Sequence, residues 1–365
     1  MLSISEKNQY RSELFRHLDG IGIAPVAYAL KEKGILDYIL KEQQVSLEQI
    51  CNFFHANEGY LNVGLRLLAS QGWLDHSVDN DTDIITIATN KNSAIAFRLF
   101  DRYKDISALL KISEEFHPRL LEEGQFSAIN KIFNQYKNGD FDAVSEDKTE
   151  QALEAQIKLH IEGALIGPIT VFLGMDGMFH KYFMEASFSA DEFHEDPINF
   201  SKILDFLTFL DWFTKKEDNY RFTDKGLFFA RRSSAYGVTV SYIPTFRRVD
   251  ELLFGNALIF KSSIPNAHET HVDREMNVWG SGGAHAAYFK KIDQIIISLF
   301  NKPIEEQPRG ILDMGCGNGA FLIHLFEVIE QRTKRGEMLD EHPLFLVGVD
   351  FNKAALKVTR ANLVK

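Results

Sequence analysis

Two stretches of the chain, residues 22–39 and 165–182, carry the same pattern of apolar positions interrupted at the same points. The interval that separates Pro25 from Pro168 also separates Gly34 from Gly177, and a second apolar run follows each glycine. We call this spacing the repeat interval. Further along, Trp73 and Trp212 are separated by slightly less than the repeat interval, so that one small deletion relates the copies. The shared spacing predicts an internal duplication.

Apolar residues at three- and four-residue spacing predict helices in each copy. In the first copy, Ser46 and Gln49 form a capping box before a helix over Leu47–Phe54. A third helix near Tyr60–Ser70 ends at Gly72, and a hairpin with alternating β-branched residues follows. Three helices and a hairpin make a winged-helix arrangement, and the second copy repeats it.

Winged helices often bind DNA, which requires Arg or Lys on the third helix. Each third helix offers a single basic residue, Arg66 or Lys202, and the chain carries 51 acidic against 40 basic side chains, for a net charge of −11. We therefore expect no nucleic-acid partner. The apolar excess on these helices favours a dimer interface, giving a homodimer, or a lid over a neighbouring domain.

Composition narrows the class of protein. The 365 residues are 45% hydrophobic, which excludes a disordered chain. Two cysteines, Cys51 and Cys316, cannot form a disulfide framework and indicate a reducing compartment. No signal peptide is visible, and the longest apolar stretch, Gly163–Phe179, is short and broken by Pro168. We expect a cytoplasmic protein with no membrane partner.

The chemistry is concentrated in the sequence GILDMGCGNGAF, which begins at Gly310. It predicts a short buried strand through Leu312, a glycine turn and a helix over Ala320–Arg332, and LFLVGVDFN then supplies a second strand that ends near Asp350. Strand, glycine loop, helix and strand form the first βαβ unit of a doubly wound sheet. Glycines let the backbone approach a ligand, and the amides at the helix N-terminus favour an anionic group.

Two cofactor classes use this geometry. Gly315, Gly317 and Ala320 satisfy the dinucleotide spacing G-x-G-x-x-A, so the glycines alone leave NAD open. Asp313 discriminates, because a carboxylate two residues before the first glycine would repel a pyrophosphate but attract an amine or a sulfonium. Asp350 is placed to accept both hydroxyls of a ribose.

The phrase D-x-G-x-G-x-G followed by V-G-V-D resembles the cofactor motifs of class I S-adenosylmethionine-dependent methyltransferases. The resemblance implies a Rossmann-like domain and S-adenosylmethionine as cofactor. It implies that the cofactor-binding residues include Asp313, Gly315, Cys316, Gly317, Gly319, Asp350 and Phe351. The interval from Asp313 to Asp350 is longer than usual, because a polar insertion, RGEMLDEHP, lies between them.

The N-terminal region is similar to the winged-helix domain that precedes the catalytic sheet in O-methyltransferases, although here the module occurs twice. It also resembles the methyltransferase domains of polyketide-synthase loading modules, some of which use a metal. Function is then expected to be methyl transfer to O or C of a small-molecule or carrier-bound acceptor. The alternatives are a metal-dependent C-methyltransferase of a polyketide synthase, a non-catalytic binding protein with a vestigial methyltransferase domain, and a DNA-binding regulator.

The segment before the motif, residues 276–289, is expected to form a flexible turn at Ser281–Gly283 and then a helix. Gly282 and Tyr288 would line the cofactor site, and His285 would be a metal ligand or general base, with a capped packing helix as the alternative. The pair His268 and His271 is a weaker metal candidate that favours a surface loop, so the metal ligands stay unknown.

The predicted organisation has four parts. It comprises a winged-helix-like module (1–95), a helical connector (96–160), a second module with a linker (161–270) and the start of a methyltransferase domain (271–365). The fold is mainly α, followed by the start of an α/β domain. Only two strands of the sheet can be placed before Lys365, so we expect the chain to be a fragment that is inactive alone.

Overall fold

A computed structural model describes residues 2–113, 120–179, 187–261 and 269–363 of the protein. The chain divides into two compact units, Met1–Asn277 and Val278–Lys365. The helices are α1 (Ile4–Glu32), α2 (Ile35–Glu42), α3 (Leu47–Phe54), α4 (Glu58–Ser70), α5 (Ser93–Leu99), α6 (Lys104–Ile112), α7 (Glu123–Lys137), α8 (Lys148–Met175), α9 (Pro197–Phe209), α10 (Asp224–Ala230), α11 (Ser233–Val240), α12 (Ile243–Phe246), α13 (Val249–Phe254), α14 (Arg274–Phe300), α15 (Ala320–Arg332) and α16 (Lys353–Leu363). The strands are β1 (Gln44–Ser46), β2 (Asp75–Val78), β3 (Ile85–Ala88), β4 (Phe188–Ser189), β5 (Phe213–Lys216), β6 (Asn219–Phe222), β7 (Gly310–Met314) and β8 (Phe345–Val349).

Two three-stranded sheets of the first unit have the same topology. Their strand orders are β1-β3-β2 and β4-β6-β5, and every pairing is antiparallel. In each, the last two strands form the wing hairpin that follows a helix, α4 or α9. The predicted tandem winged-helix-like arrangement is confirmed, and so is the predicted helix over Leu47–Phe54 with its capping box.

The long helices α1 and α8 form the centre of the first unit and cross at two glycines. A Cβ on Gly20 would lie 2.2 Å from the backbone oxygen of His160, and one on Gly163 would lie 2.2 Å from the Cα of His17. Only glycine allows the two backbones to approach this closely. The repeat interval carries Gly20 onto Gly163 and His17 onto His160, so the duplication predicted from the sequence is also the symmetry of the crossing.

Helix α8 is long and apolar enough to cross a membrane by length and composition. Its apolar window is 89% buried inside the protein, largely against α1. The apolar composition of α8 is therefore that of a core helix, and it carries no argument for a membrane span.

The second unit contains strand β7, a glycine loop, helix α15 and strand β8. The strands pair in parallel, with Asp313 opposite Gly348. The helix begins and ends at Ala320 and Arg332, as the sequence predicts.

The expectation that the first strand is buried is wrong for one of its faces. Leu312 is 58% and Met314 79% exposed, and the alternate residues of β8 are exposed as well. Side chains alternate between the two faces of a strand, and in the described chain only the opposite face is covered, by helix packing. An apolar strand sequence reports a tendency to be buried, whereas burial itself requires a covering layer.

Candidate functional site

The loop between β7 and α15 is built on three glycines with left-handed backbone angles. The φ values of Gly315, Gly317 and Gly319 are +85°, +55° and +81°. Other residues are strained in this region, which explains the three glycines at alternate positions. A Cβ on Gly315 or Gly317 would meet nothing within 4 Å, so a ligand can approach the backbone there.

Two carboxylates flank this loop, one at the end of each strand. Asp350 accepts the Gly317 N–H through Oδ2 at 2.9 Å and the Asn352 N–H through Oδ1 at 2.7 Å. Asp313 lies at the end of β7, where burial raises the pKa of its carboxyl and the charge of Asp350 raises it further. The charge of Asp350 thus opposes ionisation of Asp313, and a bound cation would relieve that repulsion.

Side chains of helix α16 form hydrogen bonds with the backbone of the glycine loop. Thr359 Oγ1 donates to the carbonyl of Gly317 at 2.6 Å, and Asn362 donates to the carbonyl of Asn318 at 3.0 Å. Cys316 is buried, its Sγ lies 3.9 Å from the Thr359 hydroxyl, and it would also limit any side chain at Gly348. Cys316 thus packs inside the loop, while Phe351 is 93% exposed beside it.

The expected turn at Ser281–Gly283 is wrong, because these residues lie inside the continuous helix α14. Ser281 Oγ donates to the carbonyl of Val278, a bond within the helix itself. Glycine disfavours a helix interior by only about 1 kcal/mol, which the surrounding residues and packing offset. Gly282 and Tyr288 are exposed on this helix, Tyr288 by 61%. His285 lies in it too, but its side chain is outside the described part of the chain.

Helix α14 is tied to α15 by a small polar cluster. Asp293 accepts from His324 Nε2 and from Arg332, each at 2.7 Å. These hydrogen bonds lower the pKa of Asp293, and the bond with His324 has the largest effect. The ring of Phe289 packs against that of Phe321 in a tilted arrangement, with centroids 4.8 Å apart. The helix that begins at the glycine loop is thereby held against α14.

The remaining histidine candidates are not brought together by the described structure. His268 lies outside the described residues, and the backbone carbonyl of His271 accepts a hydrogen bond from Thr245 at 2.6 Å. The structure instead brings together Glu13, His17 and Glu162, a group of potential metal ligands that the sequence analysis did not predict. A signal was available, since the repeat interval also carries His17 onto His160, but the apolar pattern marks the repeat only from residue 22 onward.

Three family models match the chain in order. They are the AprA N-terminal domain over residues 10–76, the AprA winged helix domain over 162–256 and the AprA MT2-like domain over 269–365. No curated protein matches. The first winged-helix-like sheet lies partly within the match to the N-terminal domain, and the glycine loop lies within the MT2-like match. By these matches, the chain is a methyltransferase-type protein in which a winged-helix region of the AprA kind precedes an MT2-like methyltransferase domain.

Proposed function

We propose that the protein is a class I methyltransferase that binds S-adenosylmethionine at the loop between β7 and α15. The observation that carries this proposal is the pair of carboxylates, Asp313 and Asp350, that flank an open glycine loop. A dinucleotide would place a pyrophosphate beside Asp313, where charge repulsion opposes binding. A cofactor with an amine and a sulfonium would instead neutralise that carboxylate.

The residues present fit this cofactor. Asp313 would face its cationic part, and Asp350 would accept hydroxyls of its ribose in addition to the backbone N–H groups that it already holds. The open backbone at Gly315 and Gly317 allows close contact. When bound, S-adenosylmethionine supplies a methyl group on a sulfonium, which a nucleophilic acceptor takes. The protein contributes positioning and exclusion of water, and needs a base only where the acceptor must lose a proton.

The acceptor is proposed to be a small or carrier-bound molecule methylated on O or C, in a cytoplasmic setting. A role in DNA binding is disfavoured by the second winged helix. Lys202 lies on α9, donates to Asn199 at 3.0 Å and sits 5.6 Å from the ring centroid of Phe126 on α7. The basic side chain that a recognition helix would direct at a phosphate is therefore held against the protein.

The proposal is tested by calorimetric titration of the 365-residue chain with S-adenosylmethionine, S-adenosylhomocysteine and NADH. We expect one site that prefers S-adenosylmethionine over the homocysteine product, which lacks the sulfonium charge. In Asp313→Asn, affinity for S-adenosylmethionine should fall about tenfold, equivalent to about 1.4 kcal/mol, and the preference should shrink.

The matched control is Asp340→Asn, which changes an acid of the same unit away from the glycine loop and should leave both affinities unchanged. Binding of NADH in place of S-adenosylmethionine would overturn the proposal. An equal loss of affinity for both adenosyl ligands in Asp313→Asn would contradict the electrostatic role of Asp313.

A further inference from the structure

A second group of chemistry-bearing side chains lies in the first unit, at the crossing of α1 and α8. One donor atom each of Glu13, His17 and Glu162 lies within 4.8 Å of the others. His17 is fully buried and Glu162 is 4% exposed. Two carboxylates and an imidazole are costly to bury, because charged groups lose their hydration inside a protein. A cation bound between these groups would offset that cost.

The contacts of the histidine leave one nitrogen directed at the carboxylates. His17 Nδ1 lies 2.8 Å from the hydroxyl of Tyr236, and its Nε2 lies 3.3 Å from Glu162 Oε1. Neither Nε2 nor Oε1 makes a hydrogen bond of good geometry, although both are buried. A histidine that donates through Nδ1 to an outer oxygen and presents a bare Nε2 is the usual arrangement of a metal ligand.

The two carboxylate oxygens of Glu162 have different partners. Burial raises the pKa of both Tyr136 and Tyr236, so their hydroxyls stay protonated. The Tyr136 hydroxyl donates to Glu162 Oε2, which leaves Oε1 as the oxygen that faces His17.

One cation already touches the cluster from the surface side. Lys225 on α10 lies 3.0 Å from Glu13 Oε1, and the side chains of Lys225 and Glu13 are 19% and 12% exposed. The ammonium of Lys225 pairs with Glu13, whereas the nearest partners of Glu162 are His17 and the Tyr136 hydroxyl.

The equivalent position in the other repeat lacks this set. A shift by the repeat interval replaces Glu13 by Gln156 and Glu162 by Asp19, next to His160. Gln156 donates to Gln71 at 2.8 Å and accepts from Trp73 at 3.3 Å. In this copy an amide thus replaces one acid, and the other acid, Asp19, is half-exposed and accepts a hydrogen bond from Gln71 at 3.3 Å.

We propose that Glu13, His17 and Glu162 bind a divalent transition metal of the zinc class, which displaces the Lys225 ammonium from Glu13. Histidine nitrogen and carboxylate oxygen are the ligands that zinc takes in proteins. Ligands about 2.0–2.2 Å from a tetrahedral ion lie roughly 3.3–3.6 Å apart, which His17 and Glu162 already satisfy. The other donor atoms lie within 4.8 Å of one another, so binding an ion would require side-chain rotations that shorten these distances. This site is independent of the glycine loop and goes beyond the proposed methyl transfer.

The test uses the full chain, stripped of metal and titrated with Zn²⁺ by calorimetry, with the bound metal counted by mass spectrometry after dialysis. We expect one Zn²⁺ per chain. In Glu13→Gln, which should fold because Glu13 lies at the rim, affinity should fall at least tenfold. Asp19→Asn, the counterpart of Glu162 in the other repeat, should bind as the unmodified chain does. Titration with Co²⁺ should give a spectrum without a thiolate charge-transfer band, which excludes Cys51 and Cys316 as ligands.

Lys225→Met separates a metal site from an internal ion pair. If the metal displaces the ammonium, this variant binds Zn²⁺ about tenfold more tightly, and Zn²⁺ restores its melting temperature. The proposal is overturned if Zn²⁺ uptake is absent, if Glu13→Gln binds as tightly as the unmodified chain, or if Zn²⁺ does not raise the melting temperature of Lys225→Met. Circular dichroism checks that each variant is folded.

Discussion

The two histidines beside the crossing of α1 and α8 occupy equivalent positions in different electrostatic surroundings. His17 faces two carboxylates, Glu13 and Glu162, and a lysine lies nearby. His160 Nδ1 is 2.8 Å from the Tyr103 hydroxyl, as His17 Nδ1 is from Tyr236, but glutamine replaces the first carboxylate. Burial lowers the pKa of His160 to about 3.

This difference shows how a duplicated scaffold separates structure from chemistry. The glycine contacts and the histidine–tyrosine pairs are retained in both copies, since the backbone crossing depends on them. Glu13 and a buried Glu162 are not required by the crossing, because the other copy has Gln156 and the half-exposed Asp19 at the same positions. They are therefore the part of the cluster for which a function beyond packing is proposed.

The largest effect is expected from breaking the crossing that both copies share. Gly163→Ala should lower the free energy of unfolding by about 4 kcal/mol or more, because its Cβ would overlap the backbone of His17. Urea unfolding measures the change. Gly124→Ala on α7 is the control, since its Cβ meets nothing, and stability should stay the same or rise by up to about 1 kcal/mol. Equal losses in the two variants would contradict the close crossing.

The next largest effect compares the stability contributions of Glu162 and its repeat counterpart Asp19, measured in chelator-treated protein at pH 7. Glu162→Gln should cost about 3 kcal/mol, because it removes the buried charge that His17, Tyr136 and Lys225 surround. Asp19→Asn should be neutral or slightly stabilising, since burial raises the pKa of Asp19 and ionisation there opposes folding. Chemical unfolding measures the free energy of unfolding of both variants. A larger loss of stability in Asp19→Asn than in Glu162→Gln would contradict the assignment of the stabilising buried charge to Glu162.

A smaller effect follows from the buried, neutral His160, and it is seen in the pH dependence of the free energy of unfolding. Unfolded chains protonate histidine near pH 6.5, whereas folded His160 stays neutral to about pH 3, so stability falls as pH decreases between these values. From pH 7 to pH 5 this amounts to about 2 kcal/mol. His160→Gln should lose less stability over that range, whatever its stability at pH 7. An unchanged slope would show that His160 is not the group responsible.

The smallest effect compares two capping serines that the repeat interval relates. Ser46 and Ser189 each form a capping box with the residue three positions later. Ser46→Ala should cost about 1 kcal/mol, because it uncaps the eight-residue helix α3. Ser189→Ala should cost less, since only a three-residue 3-10 turn follows it. Thermal melts rank the two, and a greater loss for Ser189→Ala would contradict the ranking.

Several features were predictable because they depend on neighbours in the sequence. The helix over Leu47–Phe54, its capping box, the helix over Ala320–Arg332 and the left-handed glycines of the loop all follow from local patterns. The repeat interval was visible for the same reason, as two prolines keep their place within similar apolar runs. Local sequence patterns of this kind can be recognised without knowing which distant segment packs against them.

Other features could not be obtained this way. The glycines at 282 and 283 suggested a turn, yet the continuous helix α14 contains them, because helix propensity is a weak preference that surroundings override. Leu312 looks like a buried strand residue but is exposed, since nothing in the described chain covers that face of the sheet.

The sequence by itself determined the duplicated helical modules, the βαβ unit of the methyltransferase-like domain and the residues of its glycine loop. Only the tertiary structure decided that Glu13 and His17 on α1 meet Glu162 on α8. Their convergence depends on a backbone approach permitted by two glycines, Gly20 and Gly163, and on the angle at which the helices then cross. Contacts between distant segments are set by packing of whole elements, which no local pattern encodes.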